Sequence, residues 1–144
     1  MSTTNGKPEI RLSLPSRFEY LFTLCGFFAN VGTLCNFDED ASGALVTAVV
    51  EAATNAIQHG NGLDELKPVD IRVQILPDRL LVTVQDQGHG IPRELLGQPE
   101  LPEDVFAVRG RGIALMKALM DQVEFDWGAA GTTVRLVKYR TPAS

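Results

Sequence analysis

The chain has 144 residues, a length that one hydrophobic core can serve, with 44% apolar and 22% charged residues, as in water-soluble globular proteins. No apolar stretch is long enough to span a membrane. A net charge of -5 without any basic run argues against binding nucleic acid through its phosphates.

The amino terminus and the two cysteines favour a reducing compartment. The first residues, MSTTNGKPE, lack the apolar centre of a secretory signal, and Cys25 and Cys35 lie in one apolar stretch. We therefore expect a cytoplasmic protein whose thiols both lie in the core rather than in a disulfide or a zinc site. Residues 1–8 are polar and are expected to be disordered, and a single domain is expected over residues 9–140.

The first elements along the chain are predicted to be a strand and a helix. Residues Glu9–Leu14 alternate between polar and apolar side chains, as in a half-buried strand. Ser16 followed by Glu19 is typical of a capping box, so the apolar-rich stretch 18–34 predicts a helix that is interrupted at Gly26.

A second helix is predicted from Asp38, its expected N-cap, to His59, with Gly60 as the residue that ends it. Glu39 and Asp40 place carboxylates in the first turn, where the positive end of the helix dipole favours them. Three-and-four spacing gives this helix an apolar stripe made of Leu45, Val49, Ala52 and Ala56.

The second half of the chain predicts two pairs of strands separated by a long loop and a helix. Residues 69–76 and 80–85 are predicted strands joined at Pro77-Asp78, which indicates an antiparallel hairpin. Residues 87–110 contain four glycines and three prolines and predict an irregular loop with one short helix over 93–96. The remaining predicted elements are a helix over 112–120 and strands over 122–127 and 132–138.

The first stretch with chemical character is EAATNAIQHG in the second helix. Four-residue intervals place Glu51, Asn55 and His59 along one side of the helix, at the border of its apolar stripe. A carboxylate and an amide at the edge of a core need partners, and a hydrated metal ion beside a nucleotide would provide them. The alternative is an ordinary amphipathic surface, and this stretch alone does not decide between the two.

The second stretch, DQGHGIP, follows a predicted strand. Its glycines, Gly88 and Gly90, allow the backbone to approach a flat ligand closely. Asp86, at the strand end, could accept a hydrogen bond from the exocyclic amine of adenine, whereas guanine presents a carbonyl oxygen there and would be repelled. The alternative is a tight turn that binds nothing, since Asp and Gly are common turn residues.

Two further stretches complete the set. RGRGIALMKALMD places Gly110 and Gly112 directly before a helix, whose free N–H groups and dipole make a phosphate site; the alternative is a glycine-rich loop end with exposed arginines. GTTVRL puts Thr132 and Thr133 at the start of a strand, where a hydroxyl could help to hold the base or merely suit a β position.

In this order, EAATNAIQHG, DQGHGIP, GRGIALMKALMD and GTTVRL resemble the motifs of the GHKL ATPase superfamily. The NAIQHG sequence and the terminal GTTVRLVK are most similar to those of the bacterial anti-sigma-factor serine kinases, and the resemblance covers residues 9–138. The resemblance implies a Bergerat-type ATP-binding fold, an α+β two-layer sandwich in which helices cover one face of a mixed, mostly antiparallel sheet.

The resemblance also implies roles for the residues of these motifs. Glu51 corresponds to the general base, Asn55 to the Mg²⁺ ligand and Asp86 to the acceptor of the adenine amine. The residues implied to shape the base pocket are Gly88, Gly90, Ile91 and Thr133, the last of them through a water. The residues implied to contact the phosphates are Arg109, Gly110, Arg111 and Gly112, at the hinge of a lid over 92–109. Which of the two arginines reaches the γ-phosphate stays open.

The activity that the resemblance implies is ATP- and Mg²⁺-dependent phosphorylation of a serine or threonine in an anti-anti-sigma protein with a STAS domain. Such a kinase also sequesters a sigma factor, and a homodimer is expected from the family, with no direct contact to nucleic acid or membrane. Two alternatives stay open. One is a non-catalytic binding module switched by nucleotide, and the other is a histidine-kinase catalytic domain detached from its dimerisation helices.

Overall fold

A five-stranded antiparallel sheet organises the chain. The computed structural model describes residues 8–88, 112–128 and 130–141. The strands are Ile10–Leu14 (β1), Val69–Ile75 (β2), Arg79–Gln85 (β3), Gln122–Gly128 (β4) and Gly131–Tyr139 (β5), in the spatial order β1-β2-β3-β5-β4. Each neighbouring pair of these strands is antiparallel, so the expected admixture of parallel pairing is not found within the described residues.

Among the described residues, three helices accompany the sheet and form the second layer of an α+β sandwich. A short 3₁₀ turn, Phe18–Tyr20, leads into α1, Leu21–Leu34, which packs along α2, Glu39–Asn55. The helix α3 spans residues 112–119. The expected two-layer α+β fold is therefore confirmed.

Strand alternation places the hydrophobic core between the sheet and the helices. On β2, Val69, Ile71 and Val73 are buried, whereas the intervening Asp70 and Arg72 are only half-buried because they point to the other face. The largest fully buried side chains come from all three helices, the turn after α2 and three strands: Leu24, Phe28, Leu45, Ile57, Ile71, Leu80, Met116 and Leu136. Burial of this apolar surface is the main stabilising term of the fold.

The start of α1 differs from the prediction in two respects. Gly26 does not interrupt the helix, which is continuous because packing of its buried side against the core outweighs the low helix propensity of one glycine. Ser16 does not cap the helix either, because its buried hydroxyl donates to the Lys67 carbonyl oxygen. Cys35 is buried as expected, but Cys25 is exposed on the outer side of α1.

The second helix begins where the sequence predicts. The Asp38 side chain accepts a hydrogen bond of 2.7 Å from the Ala41 amide and is the N-cap. All four residues of the predicted apolar stripe are buried. The predicted 87–110 loop, including its short helix over 93–96, lies almost entirely outside the described residues. No helix among those described is both long and apolar enough to cross a lipid bilayer.

The cap at Asp38 gives a stability prediction. Asp38→Ala removes the acceptor for the Ala41 amide and is expected to lower the free energy of unfolding by about 1 kcal/mol. Asp38→Asn keeps a capping oxygen and should retain most of that stability. Urea denaturation of both variants measures the difference, and equal stability of Asp38→Ala and the wild type would contradict this role of the cap.

Candidate functional site

A cavity lies between α2, the start of α3 and the ends of β3, β4 and β5. It contains about 390 Å³ of atom-free space, its open mouth included. The residues that line it are mostly apolar, with three polar residues among them: Ala52, Asn55, Ala56, Val84, Asp86, Ile113, Phe125, Trp127, Thr132 and Val134. An apolar slot with a few convergent polar groups is typical of a site for a flat ligand.

Asp86 provides the polar end of the cavity. It directly follows β3 and is only 4% exposed, so its carboxyl group needs hydrogen-bond donors. Its Oδ1 accepts from the Thr132 amide at 2.9 Å and from the Gly88 amide at 3.1 Å. These bonds occupy one carboxyl oxygen and hold the group in one orientation, which leaves Oδ2 as the acceptor for a ligand.

Three glycines make this arrangement sterically possible. A Cβ atom at Gly60 would collide with the Asp86 carboxyl group, and one at Gly88 would collide with the carbonyl group of Gly60. Gly131 has a φ of 136°, and a Cβ there would collide with the Asp86 carbonyl oxygen. The chain segments around Asp86 therefore approach more closely than any larger residue allows.

The second helix ends in an unusual turn beside Asp86. The α-helical pattern stops at Asn55, and Ala56–Gly60 form a π-helical turn that the Asn61 amide closes by donating to the Ala56 carbonyl oxygen at 2.8 Å. The segment that was predicted as a helix to His59 is therefore helical throughout, but it changes from an α-helix to a π-helix after Asn55. Such wide turns are rare and often occur at functional sites, and this one places Gly60 against Asp86.

At the other end of the cavity, the first residue of α3 meets two polar residues of α2. A Cβ atom at Gly112 would lie 2.5 Å from Glu51 Oε1 and 3.1 Å from Asn55 Nδ2, so the glycine permits close contact. Glu51 and Asn55 are both half-buried, and Asn55 lines the cavity. The predicted neighbours from separate motifs therefore meet beside a helix amino terminus, whose N–H groups favour an anion.

The two threonines of GTTVRL lie on opposite faces of the sheet. Thr132 pairs with Trp127 and lines the cavity, whereas Thr133 pairs with Gln85 and faces the other side of the sheet. Thr133, which was predicted to assist base binding, therefore does not line this cavity, because adjacent strand residues point to opposite faces. Thr132 is in phase with the buried Val134, a signal that the sequence already contained.

The structure also suggests that the cavity can hold a ligand with polar groups. The Thr132 hydroxyl is buried and has no hydrogen-bond partner within the described residues. Buried hydroxyl groups usually have a partner, so a ligand or a water at this position would satisfy it.

Several predicted site residues lie outside the described residues. They are Gly90, Ile91, Arg109, Gly110 and Arg111, together with the whole of the predicted lid over 92–109.

The sequence analysis missed the aromatic wall of the cavity. Phe125 and Trp127 lie two residues apart on β4, with ring centroids 5.3 Å apart and a 32° angle between the rings. Alternation along β4 places both on the helix-covered face, so the FDW triplet would have revealed them once the strand had been assigned a face. Ile113 also lines the cavity, although the glycines before α3 indicate only a phosphate site.

The sheet topology, the cavity and the motif residues define the class of protein. A family model described as the histidine kinase-like ATPase domain matches residues 14–138. The chain therefore belongs to this family of ATPase domains, as the resemblance of its motifs implied.

Several relatives that match most of the chain are named serine-protein kinases. The serine-protein kinase RsbW of Bacillus subtilis (strain 168) is 33% identical over 145 residues, which cover 94% of this chain and 88% of that protein. The serine-protein kinase RsbW of Staphylococcus epidermidis is 30% identical over 141 residues, covering 90% and 86%. A solved structure of the RsbU and RsbW domains of Rv1364c from Mycobacterium tuberculosis has a TM-score of 0.67 at 20% identity. It covers 95% of this chain and 34% of that one, and this match supports the fold alone.

The close packing of the glycines gives a second prediction. Gly88→Ala places a Cβ atom against the Gly60 carbonyl group and is expected to lower the free energy of unfolding by about 1–3 kcal/mol or more. Gly43→Ala is the matched control, because open space surrounds this residue in α2; it should raise stability by roughly 0.5–1 kcal/mol. Thermal and urea unfolding measure both, and a neutral Gly88→Ala would contradict the described packing.

Proposed function

We propose that this protein is an ATP- and Mg²⁺-dependent serine/threonine protein kinase that phosphorylates an anti-anti-sigma protein with a STAS domain and also acts as an anti-sigma factor. The observation that carries the proposal is the meeting of Glu51 and Asn55 with Gly112 at one end of a cavity whose other end is Asp86. The names of the relatives, serine-protein kinases that match over most of their length, support the transferase activity and the acceptor type.

Asp86 recognises the adenine base of ATP in this proposal. Its Oδ1 already accepts hydrogen bonds from two amides, so Oδ2 accepts the hydrogen bond from the exocyclic amine of adenine. The apolar walls, including Phe125 and Trp127, contact the faces or the edge of the ring. The Thr132 hydroxyl assists by a hydrogen bond to a ring nitrogen or to a bridging water. In this proposal Thr132 has the role that was predicted for Thr133.

Asn55 supplies the protein ligand for Mg²⁺. Mg²⁺ takes oxygen ligands and is typically held by one or two protein groups together with phosphate oxygens, and the position of Asn55 between base pocket and α3 fits that donor set. When bound, the ion neutralises charge that develops on the phosphate oxygens during transfer.

The amino terminus of α3 holds the phosphates. Its free N–H groups and dipole attract negative charge, and Gly112, the first residue of α3, has no side chain that would cover them. Gly110 and one of the two arginines, Arg109 or Arg111, complete the anion site in this proposal. Stabilisation of the equatorial oxygens by such groups supplies most of the rate enhancement in phosphoryl transfer.

Glu51 acts as the general base. Its carboxylate accepts the proton of the attacking serine or threonine hydroxyl while the hydroxyl oxygen bonds to the γ-phosphorus. The bond between the γ-phosphorus and the bridging oxygen breaks, and ADP leaves with the electron pair. The closeness of Glu51 to Gly112 supports this role, because Gly112 begins the helix whose amino terminus is the proposed phosphate site.

The role of Glu51 gives a third prediction. Glu51→Gln should reduce phosphorylation of the anti-anti-sigma partner by about 100-fold or more, since general-base catalysis commonly contributes that much. ATP binding should change little, because the adenine pocket is intact. Glu39→Gln, in the exposed first turn of the same helix, is the control and should transfer phosphate normally. The measurement is transfer of labelled γ-phosphate, with separate titration of ATP.

Product analysis separates this function from its competitors. Acid-stable phosphoserine or phosphothreonine on the partner supports the kinase, whereas an acid-labile phosphoramidate indicates histidine-kinase chemistry. Tight, ATP-dependent partner binding without any transferred phosphate indicates a nucleotide-switched binding module. Normal transfer by Glu51→Gln would overturn the role of this residue.

The role of Asp86 gives a fourth prediction. Asp86→Asn keeps an Oδ1 acceptor for the Thr132 and Gly88 amides but turns the outward oxygen into a donor that repels the adenine amine. ATP affinity should fall by about 10–100-fold, because a buried polar pair is mismatched. Trp127, the only tryptophan of the chain, lines the cavity and reports binding by its fluorescence. Asp126→Asn, on the opposite sheet face, should bind as the wild type does.

A further inference from the structure

Asn61 connects three separate segments around the site and belongs to none of the motifs. It follows the π-helical turn directly and is 3% exposed, although its side chain is polar. Its Nδ2 donates to Ser16 Oγ at 2.9 Å and to the carbonyl oxygens of Lys67 and Pro68 at 2.8 and 3.1 Å. These bonds tie the end of the turn to the segment after β1 and to the start of β2.

The other end of the same amide reaches the base-recognition loop. Asn61 Oδ1 accepts a hydrogen bond of 2.7 Å from the backbone amide of Gln87, the residue after Asp86. The Asp86 amide donates to the Thr132 carbonyl oxygen, and the Gly88 amide donates to Asp86 Oδ1. Three consecutive amides are thus fixed, and only the middle one depends on a side chain from a distant part of the sequence.

We propose that Asn61 is a positioning residue for adenine recognition, which acts by holding the Gln87 amide and so the direction of the Asp86 carboxylate. The proposal rests on the proposed function, because it assigns Asn61 to the same ATP site. The β5 side of the loop is held by the bonds to Thr132. The α2 side is held by the Gln87–Asn61 bond and by the contact between Gly60 and Gly88, so loss of that bond removes one of the two contacts on this side and shifts the direction of the Asp86 carboxylate.

The two ends of the Asn61 amide perform different tasks, and this makes the proposal testable. Nδ2 joins the scaffold at Ser16, whereas Oδ1 alone contacts the loop of Asp86. A residue with a purely structural role would lower stability and weaken the binding of every nucleotide alike. A residue that directs Asp86 affects ATP more than GTP, because Asp86 distinguishes adenine from guanine by its amine.

The first test compares Asn61→Ala with Asn61→Asp, using Trp127 fluorescence to titrate ATP and GTP and thermal unfolding to measure stability. Asn61→Ala should weaken ATP binding by about tenfold, the usual effect of one lost hydrogen bond at a buried site, and GTP binding by much less. Asn61→Asp keeps an acceptor for the Gln87 amide and should retain most of the preference for ATP, although loss of the Nδ2 bonds lowers its melting temperature.

The second test removes the donor instead of the acceptor. Gln87 is exposed and its φ is not in the left-handed region, so neither feature opposes a proline there. Gln87→Pro deletes the amide N–H, whereas Gln87→Ala keeps it. Gln87→Pro should lose the preference for ATP as Asn61→Ala does, and Gln87→Ala should match the wild type. This pair decides the question if Asn61→Ala does not fold.

The results separate failure of this proposal from failure of the proposed function. Wild-type protein that does not bind ATP, or prefers GTP, removes the ATP site and this proposal together. Wild-type protein that prefers ATP, combined with an unchanged ratio of ATP to GTP affinity in Asn61→Ala or in Gln87→Pro, overturns the role of Asn61 alone. Equal weakening of both nucleotides also overturns it, because that result indicates a general scaffold residue.

Discussion

The burial of one carboxyl group governs the construction of this site. Asp86 is almost fully enclosed, and a carboxylate in such a place is costly unless donors compensate for the lost water. The backbone amides of Thr132 and Gly88 supply that compensation. The chain segments around this carboxyl group pack so closely that a Cβ atom would collide with its neighbours at three surrounding positions.

This constraint explains why glycines from three distant motifs surround one residue. Gly60 ends the π-helical turn, Gly88 follows β3 and Gly131 begins β5, and each makes contact that a Cβ atom would prevent. The same device recurs at Gly112, where α3 meets Glu51 and Asn55. Both ends of the proposed ligand site are therefore built from close backbone approach, while the apolar wall between them is built from ordinary core packing.

The site also depends on elements far apart in sequence. The Thr132–Asp86 bond spans 46 residues and joins β5 to the end of β3. The Gln87–Asn61 bond spans 26 residues and joins the segment after β3 to the end of the turn that follows α2. Loops held in this way keep their geometry before a ligand arrives, which lowers the entropy lost on binding. In the proposed ATP site, recognition of the base thus depends on the whole sandwich rather than on the DQG turn alone.

Much of the fold was predictable because it depends on local patterns. The cap at Asp38, the stripe of α2 and the β2–β3 hairpin follow from side-chain chemistry and periodicity within a few residues. The errors arise where packing overrides a local signal. Gly26 is helical because α1 packs against the core, and the Ser16 hydroxyl donates to the Lys67 carbonyl oxygen instead of capping the helix. The resemblance of the motif implies Thr133, whereas strand alternation turns Thr132 to the cavity.

The sequence by itself determined the elements, the order of the motifs and the residue types at the site, because each is encoded in neighbouring residues and their spacing. Only the tertiary structure decided which threonine faces the cavity, that Phe125 and Trp127 form its wall, and that Asn61 holds the loop of Asp86. Those outcomes depend on strand register and on contacts between residues dozens of positions apart. Such contacts form only when the sheet and helices pack together, so no local pattern specifies them.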